Sequence, residues 1–275
     1  MNDSAPPLTL DELIGFLELC VRSAVTACPA LRYDPHEPRD RFAVLLLFAV
    51  LDQARAVLTL ARAGAVTAIP IIARSALDAY IDIVNLVDHP RYWENLIAVD
   101  AEKWKGLLER TSQGGNPMLK GLSHDMLLPA GRRKYARELK ALRAKGVQSL
   151  GIAERFDRAG LTHEYESVYS ILSDEVHNNV SVLQSRYIDW DENEAWIVRQ
   201  GEVSTHAHNY ELPCTLTVGE IVLRSTEKLL RLFGHGIAVV SQPLRDLEVI
   251  WARAQAEDAR QEQVPSGMVS TMRPE

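Results

Sequence analysis

The sequence has few of the features that fix a compartment or a cofactor. It has three cysteines in 275 residues and no Cys-x-x-Cys pair, which argues against a disulfide scaffold and a zinc ribbon. No basic start followed by an apolar stretch opens the chain, so we expect no signal peptide. The longest apolar run, Phe42 to Leu51, is about ten residues, whereas a membrane span needs about 20. These absences predict a cytoplasmic, reduced protein without a membrane segment.

Several chemical motifs are also absent. The chain has no glycine-rich phosphate loop and no Gly-x-Ser-x-Gly nucleophile elbow, which disfavours nucleotide-driven chemistry and hydrolase-fold catalysis. Asp174 and His177 have the i, i+3 spacing of di-iron bundles, but the chain has no second copy of that pair. We therefore predict no metal and no cofactor. Whether His206 and His208, which alternate on an extended segment, hold a metal is left open.

What is present is the pattern of an all-α protein. Hydrophobic residues make up 47% of the chain and charged residues 24%, which is typical of a folded globular domain. Apolar residues recur at helical spacing in almost every apolar stretch. Thr9 and Glu12 have the spacing of a capping box, and Gly64 stands where a helix should end.

These patterns predict a single helical bundle of about seven helices. We expect one domain over residues 1–258, with its core at about 41–233 and a small β-hairpin-like insert near 188–212. Residues 259–275 have the composition of a disordered tail.

Two charged residues fall on the most apolar predicted helix. Arg74 and Asp78 are four residues apart and share one helix face. The order basic before acidic is the weaker orientation within one helix, which suggests that Arg74 has a partner on another helix. Asp78 would then orient Arg74. An ion pair here either fixes the helix register or serves a site, because unpaired charges in a core are costly.

A second polar group follows the edge of a later helix. Tyr169, Ser173 and His177 are spaced i, i+4 and i+8. A hydroxyl one turn from an imidazole can fix its tautomer or be activated by it. His177 is thus a candidate general base, with Ser173 and Tyr169 as orienting groups, or a satisfied structural histidine.

One predicted helix is strongly basic although the net charge of the chain is −7. This helix is either a solvated face or a site for phosphates, with RNA as the candidate partner over residues 132–145. The candidate substrate-binding residues are Arg132, Arg133, Lys134 and Arg137, and the same helix also carries Lys140, Arg143 and Lys145.

Two segments together resemble a bacterial family catalogued as domain of unknown function 5677. The segments are IIARSALDAYIDIVNL and YESVYSILSDEVHNN, and the resemblance extends over about residues 41–233. The matching positions are Arg74, Ser75 and Asp78 in the first segment, and Tyr169, Leu172, Ser173 and His177 in the second. Asp78 stands where the family more often has Glu.

That family is similar in architecture to the HEPN helical bundles, several of which are metal-independent ribonucleases of toxin or phage-defence systems. Their signature is an Arg followed after four to six residues by a His. Arg158 and His163 fit it by count, but Gly160 interrupts the helix and Ala159 replaces the expected polar residue. If the resemblance extends to activity, Arg74 and His177 are the better candidate pair.

Two functions remain open from the sequence. The first is a non-catalytic scaffold or interaction module in which Arg74, Asp78, Ser173 and His177 form a buried network. The second is a HEPN-like ribonuclease or RNA-binding protein, in which His177 moves the proton and Arg74 stabilises the phosphate. A homodimer is compatible with either.

Overall fold

The fold was analysed in a computed structural model. It describes residues 8–113, 127–177, 179–190, 196–198 and 208–262. The prediction of an all-α fold is confirmed. The helices of the described ranges are α1 Leu10–Ala27, α2 Pro38–Arg62, α3 Ile69–Asp88, α4 Tyr92–Gln113, α5 Leu127–Ala144, α6 Ile152–Arg158, α7 Thr162–Glu164, α8 Ser170–Val176, α9 Val180–Tyr187, α10 His208–Leu232 and α11 Ala238–Glu262.

Local signals place several of these helix ends. The Thr9 hydroxyl accepts a hydrogen bond from the Glu12 amide at 3.2 Å, and the Glu12 carboxylate accepts one from the Thr9 amide at 3.0 Å. The predicted capping box of α1 is therefore confirmed. Just beyond the end of α2, Gly64 has φ +67°, a left-handed conformation that favours glycine.

The prediction of about seven helices is too low, for two reasons. The helical spacing of apolar residues predicts one helix from about Leu161 to Arg186, and the structure divides this stretch into α7, a π-helical turn at Tyr165–Tyr169, α8 and α9. Asn179 has left the helical conformation and caps α9, with its side chain accepting from the Ser181 amide. The sequence also contains a helix, α6, that its local signals do not predict. Its N-cap is a glycine whose amide donates to Glu154 at 2.6 Å, so the usual Ser or Thr signal is absent.

The region of the predicted insert contains two short strands and part of a helix. Strands β1 (Ile188–Trp190) and β2 (Trp196–Val198) pair antiparallel, with Asp189 opposite Ile197. Two three-residue strands do not make a stable unit by themselves, and most of the residues between β2 and α10 lie outside the described ranges. The hairpin-like insert therefore stays a prediction.

Both boundaries predicted near the C-terminus need correction. The insert was expected to reach residue 212, but α10 begins at His208 and continues through Pro213. Proline lacks the amide hydrogen that a helix interior uses, so the sequence predicts a boundary there. The tail was expected from residue 259, but α11 continues to Glu262. The rest of the predicted tail lies outside the described residues.

The chain contacts divide the molecule into two compact units, and α2 and α3 each contribute to both. The first unit takes the described residues of Met1–Arg32, Leu47–Tyr80 and Ser167–Glu275. In it, α1 packs against α10 and α11. The contact side of α1 is fully buried and consists of Leu13, Leu17, Cys20 and Ala24. The prediction of one domain over 1–258 stays a prediction.

The second unit takes the described residues of Tyr33–Leu46 and Ile81–Glu166. Here α4 packs along α5, and a Cβ on Gly131 of α5 would lie 3.1 Å from the Leu108 side chain of α4, so glycine permits the close approach. A helix that is apolar nearly all round is expected to be buried, and the C-terminal part of α3 is buried at Ile81, Ile83, Val84 and Leu86.

Candidate functional site

Arg74 lies on the first-unit part of α3 and contacts Tyr169, the last residue of the π-helical turn. Its Nη2 donates a hydrogen bond to the Tyr169 hydroxyl at 2.6 Å, and its Cζ lies 4.9 Å from the centre of the tyrosine ring. Tyr169 is 5% exposed and Arg74 is half-buried. Arg74 therefore has a partner on another element, as the sequence predicted, and the contact combines a hydrogen bond with a cation–π interaction.

A second nitrogen of the Arg74 side chain is enclosed by the protein. This atom, Nε, is buried and makes no hydrogen bond to any residue that the structure describes. Among those residues, no hydrogen bond or ion pair joins Arg74 to Asp78, which is half-buried one turn further along α3. The group that orients Arg74 in this geometry is Tyr169.

The residue after Arg74 connects two helices. Ser75 is exposed, and its hydroxyl accepts a hydrogen bond from Nε2 of Gln53 on α2 at 2.7 Å. The Arg-Ser pair of the first segment thus makes two contacts in different directions, because successive residues on a helix point about 100° apart.

Ser173 and His177 lie on and just after α8, and the contact between them is through the backbone. The His177 amide donates to the Ser173 carbonyl at 3.1 Å. His177 is exposed, and its imidazole makes no hydrogen bond within the described part of the chain. The predicted buried network of Arg74, Asp78, Ser173 and His177 is therefore wrong for His177, because α8 ends there and the side chain leaves the packed face.

Arg74 contacts one end of the segment from Tyr169 to His177, and His177 is the other end. Arg74 is held on Tyr169, and eight residues separate Tyr169 from His177. Eight residues of helix rise about 12 Å along the axis. This geometry disfavours simultaneous contact of the Arg74 and His177 side chains with one phosphate.

A buried ion pair that the sequence analysis missed lies beside this segment. Glu175 of α8 is 8% exposed and pairs with Arg186 of α9, and Arg186 also donates to the Thr67 carbonyl at 3.0 Å. Burial raises the pKa of Glu175, and the charge of Arg186 opposes that shift. Residues eleven apart on a continuous helix would be separated by about 16 Å. The pair is possible because α8 ends at Val176 and a separate helix, α9, begins at Val180.

The second unit has its own buried ion pair. Arg155 of α6 holds both carboxylate oxygens of Asp82 on α3, at 3.0 and 2.6 Å, and the Tyr92 hydroxyl donates to the same carboxylate at 2.7 Å. Burial raises the pKa of Asp82 against the opposing charge of Arg155. The two partners are 73 residues apart in the chain, so no local spacing in the sequence predicts the pair.

The basic helix predicted over residues 132–145 is α5 and the residue after it. Its cations are exposed. Arg143 pairs with Glu102 at 2.9 Å, and Lys145 pairs with Glu94 at 3.4 Å. The remaining five have no acidic partner among the described residues: Arg132, Arg133, Lys134, Arg137 and Lys140.

The structure adds no support for the two other candidate motifs, the Arg158–His163 spacing and a metal site. Arg158 ends α6, and Gly160 has φ +70°, so His163 lies on a different helix. Arg158 donates to the side chain of Asn95 at 3.2 Å. A search of the described residues finds no cluster of three or more metal-ligating side chains. His206 lies outside those residues, and so does the side chain of His208.

Two helices are long and apolar enough to cross a membrane, at Leu10–Ala30 and Pro38–Arg62. Core helices of soluble proteins pass the same test, so neither the absence of a membrane segment nor the cytoplasmic location is decided by it.

Fold and site define an all-helical protein with polar pairs between its helices. The sequence profile of the Family of unknown function (DUF5677) matches residues 40–195. That is more than half of the chain, and the protein belongs to this family. The matched range includes both segments on which the resemblance rests and ends earlier than the expected residue 233. No curated protein and no solved structure matches the chain.

Proposed function

We propose that this protein is a non-catalytic helical interaction module, in which Arg74 belongs to the framework of the fold. The observation that supports this proposal is the double contact of Arg74 with Tyr169, by a hydrogen bond of 2.6 Å and by the ring at 4.9 Å. A guanidinium that stabilises a phosphate must direct its donors at the substrate. In Arg74 one donor is engaged internally and Nε is buried.

Replacing Arg74 tests this framework role. Arg74→Ala removes a charge-assisted hydrogen bond and a cation–π contact, so we expect the free energy of unfolding to fall by about 2–3 kcal/mol. The matched control is Arg55→Ala, since the exposed pair of Arg55 with Asp52 should contribute less than about 1 kcal/mol. Urea unfolding of both variants makes the comparison. A loss for Arg74→Ala as small as that of the control would overturn the proposal.

The alternative is a HEPN-like, metal-independent ribonuclease of a toxin or phage-defence system. One observation favours it: the imidazole of His177 is exposed and makes no hydrogen bond within the described residues. A general base needs such access to a ribose hydroxyl. Asp78, Ser173 and Tyr169 would then be positioning groups around Arg74 and His177.

An RNA cleavage assay separates the two proposals. The module predicts no cleavage of a mixed-sequence RNA by the full chain in the presence of EDTA. The ribonuclease predicts cleavage that disappears in His177→Ala and persists in His163→Ala, which serves as the control histidine on α7. Cleavage with that pattern would refute the module and establish the alternative.

A further inference from the structure

The outward side of α5 is a continuous cationic surface. Arg133, Arg137 and Lys140 are spaced i, i+4 and i+7, which aligns them on one face. Leu139 and Leu142 occupy the opposite side, where they are 4% and 7% exposed, and α5 packs against α4. The apolar side of α5 is therefore used within the fold, and the cationic side is presented to solvent.

Among the described residues, acidic side chains pair with the cations at the far end of this surface. Glu102 and Glu94 pair with Arg143 and Lys145. Toward the start of α5, Arg132 and Arg133 line a groove of about 350 Å³ with Lys105 and Glu109 of α4, which pair with each other at 3.8 Å. Arg132, Arg133, Lys134, Arg137 and Lys140, which we call the α5 cations, have no acidic partner among the described residues.

The chemistry of this surface indicates which polyanion it fits. A helix that lies on an acidic membrane needs apolar side chains beside its cations, and a protein partner usually buries an aromatic or aliphatic anchor. The described side chains of α5 include no exposed large hydrophobic residue. Nucleic acid needs no such anchor, because phosphate contacts provide most of its sequence-independent affinity. Arg133 to Lys140 spans about 10 Å of helix, enough for a short stretch of one strand.

We propose that the α5 cations bind a single-stranded nucleic acid through its phosphates. This names a partner for the interaction module and rests on that proposed function. Binding depends on the phosphate charge and is independent of base sequence, because guanidinium and ammonium groups on a convex helix contact the phosphates before the bases. A chain with a net charge of −7 would thus bind a polyanion at one local surface.

The test measures binding of a fluorescent 20-nucleotide polyuridylate to the full chain, by anisotropy, between 50 and 200 mM salt. Five phosphate contacts predict a slope of log K against log salt of about −3.5 for a single strand. The triple variant Arg133→Gln, Arg137→Gln, Lys140→Gln should reduce the slope to about −1.4. The control triple variant is Arg55→Gln, Arg62→Gln, Arg231→Gln, which removes the same charge from exposed, ion-paired arginines and should bind like the wild type.

Three outcomes would overturn the inference. They are no binding of polyuridylate at 50 mM salt, equal loss of binding in both triple variants, and tighter binding to phosphatidylserine vesicles or polyglutamate than to the oligonucleotide. None of these outcomes changes the unfolding free energy of Arg74→Ala. Failure of the α5 proposal and failure of the framework role of Arg74 are therefore distinguishable.

Discussion

Glu94, at the start of α4, is a residue whose ionisation the fold controls. Its side chain is 5% exposed, and its carboxylate accepts from Arg91 at 3.0 and 2.7 Å and from Lys145 at 3.4 Å. Burial opposes ionisation, but the hydrogen bonds and charges of Arg91 and Lys145 outweigh it and lower the pKa of Glu94 below its ordinary 4.5. Glu94 thereby connects the start of α4 to the end of the basic helix.

Glu94→Gln should destabilise the protein in a pH-dependent way. A carboxyl whose pKa is lowered on folding contributes stability above the unfolded pKa and loses that contribution as the pH falls through the folded pKa. We expect the variant to be about 1 kcal/mol less stable near pH 7, with the difference disappearing as the pH drops below 4.5. Urea unfolding from pH 7 to pH 3 measures it. The control is Glu109→Gln, which removes the looser ion pair with Lys105 on the same helix. A difference in unfolding free energy between Glu94→Gln and the wild type that does not change with pH would contradict the lowered pKa of Glu94.

The break between α8 and α9 is the element that the sequence analysis represented least well. The apolar spacing continues through residues 177–179, so periodicity alone predicted one helix there. Asn179 is a good N-cap, and the neighbouring asparagines were a usable signal for a break. The Glu175–Arg186 pair could not be predicted, because it joins residues on two helices that the periodicity represents as one.

Arg186→Ala should destabilise the first unit strongly. It leaves Glu175 as an uncompensated charge at 8% exposure, and such a loss costs about 3–5 kcal/mol. The double variant Glu175→Met, Arg186→Met should recover most of this loss, since apolar pairs often replace buried ion pairs without penalty. Thermal and urea unfolding of the single and double variants provides the measurement. A double variant as unstable as the sum of its singles would show that the pair does not couple α8 to α9.

At the scale of the whole molecule, the sequence predicted what depends on local pattern. The all-α class, the capping box at Thr9 and the end of α2 at Gly64 follow from neighbouring residues. The family relationship was also visible from two short segments. Contacts between residues far apart in the chain, such as Arg74 with Tyr169, could not be predicted. Helical periodicity identifies which side of a helix is buried, but it does not identify the residues that pack against that side.

The central claim is that Arg74 and Tyr169 stabilise each other within the fold. A double-mutant cycle with Arg74→Met, Tyr169→Phe and the combined variant tests it most directly, because it isolates the energy of the contact from the effects of each substitution. The account predicts a coupling of about 1–3 kcal/mol in the free energy of unfolding, as expected for a charge-assisted hydrogen bond. Strictly additive effects of the two substitutions would contradict it.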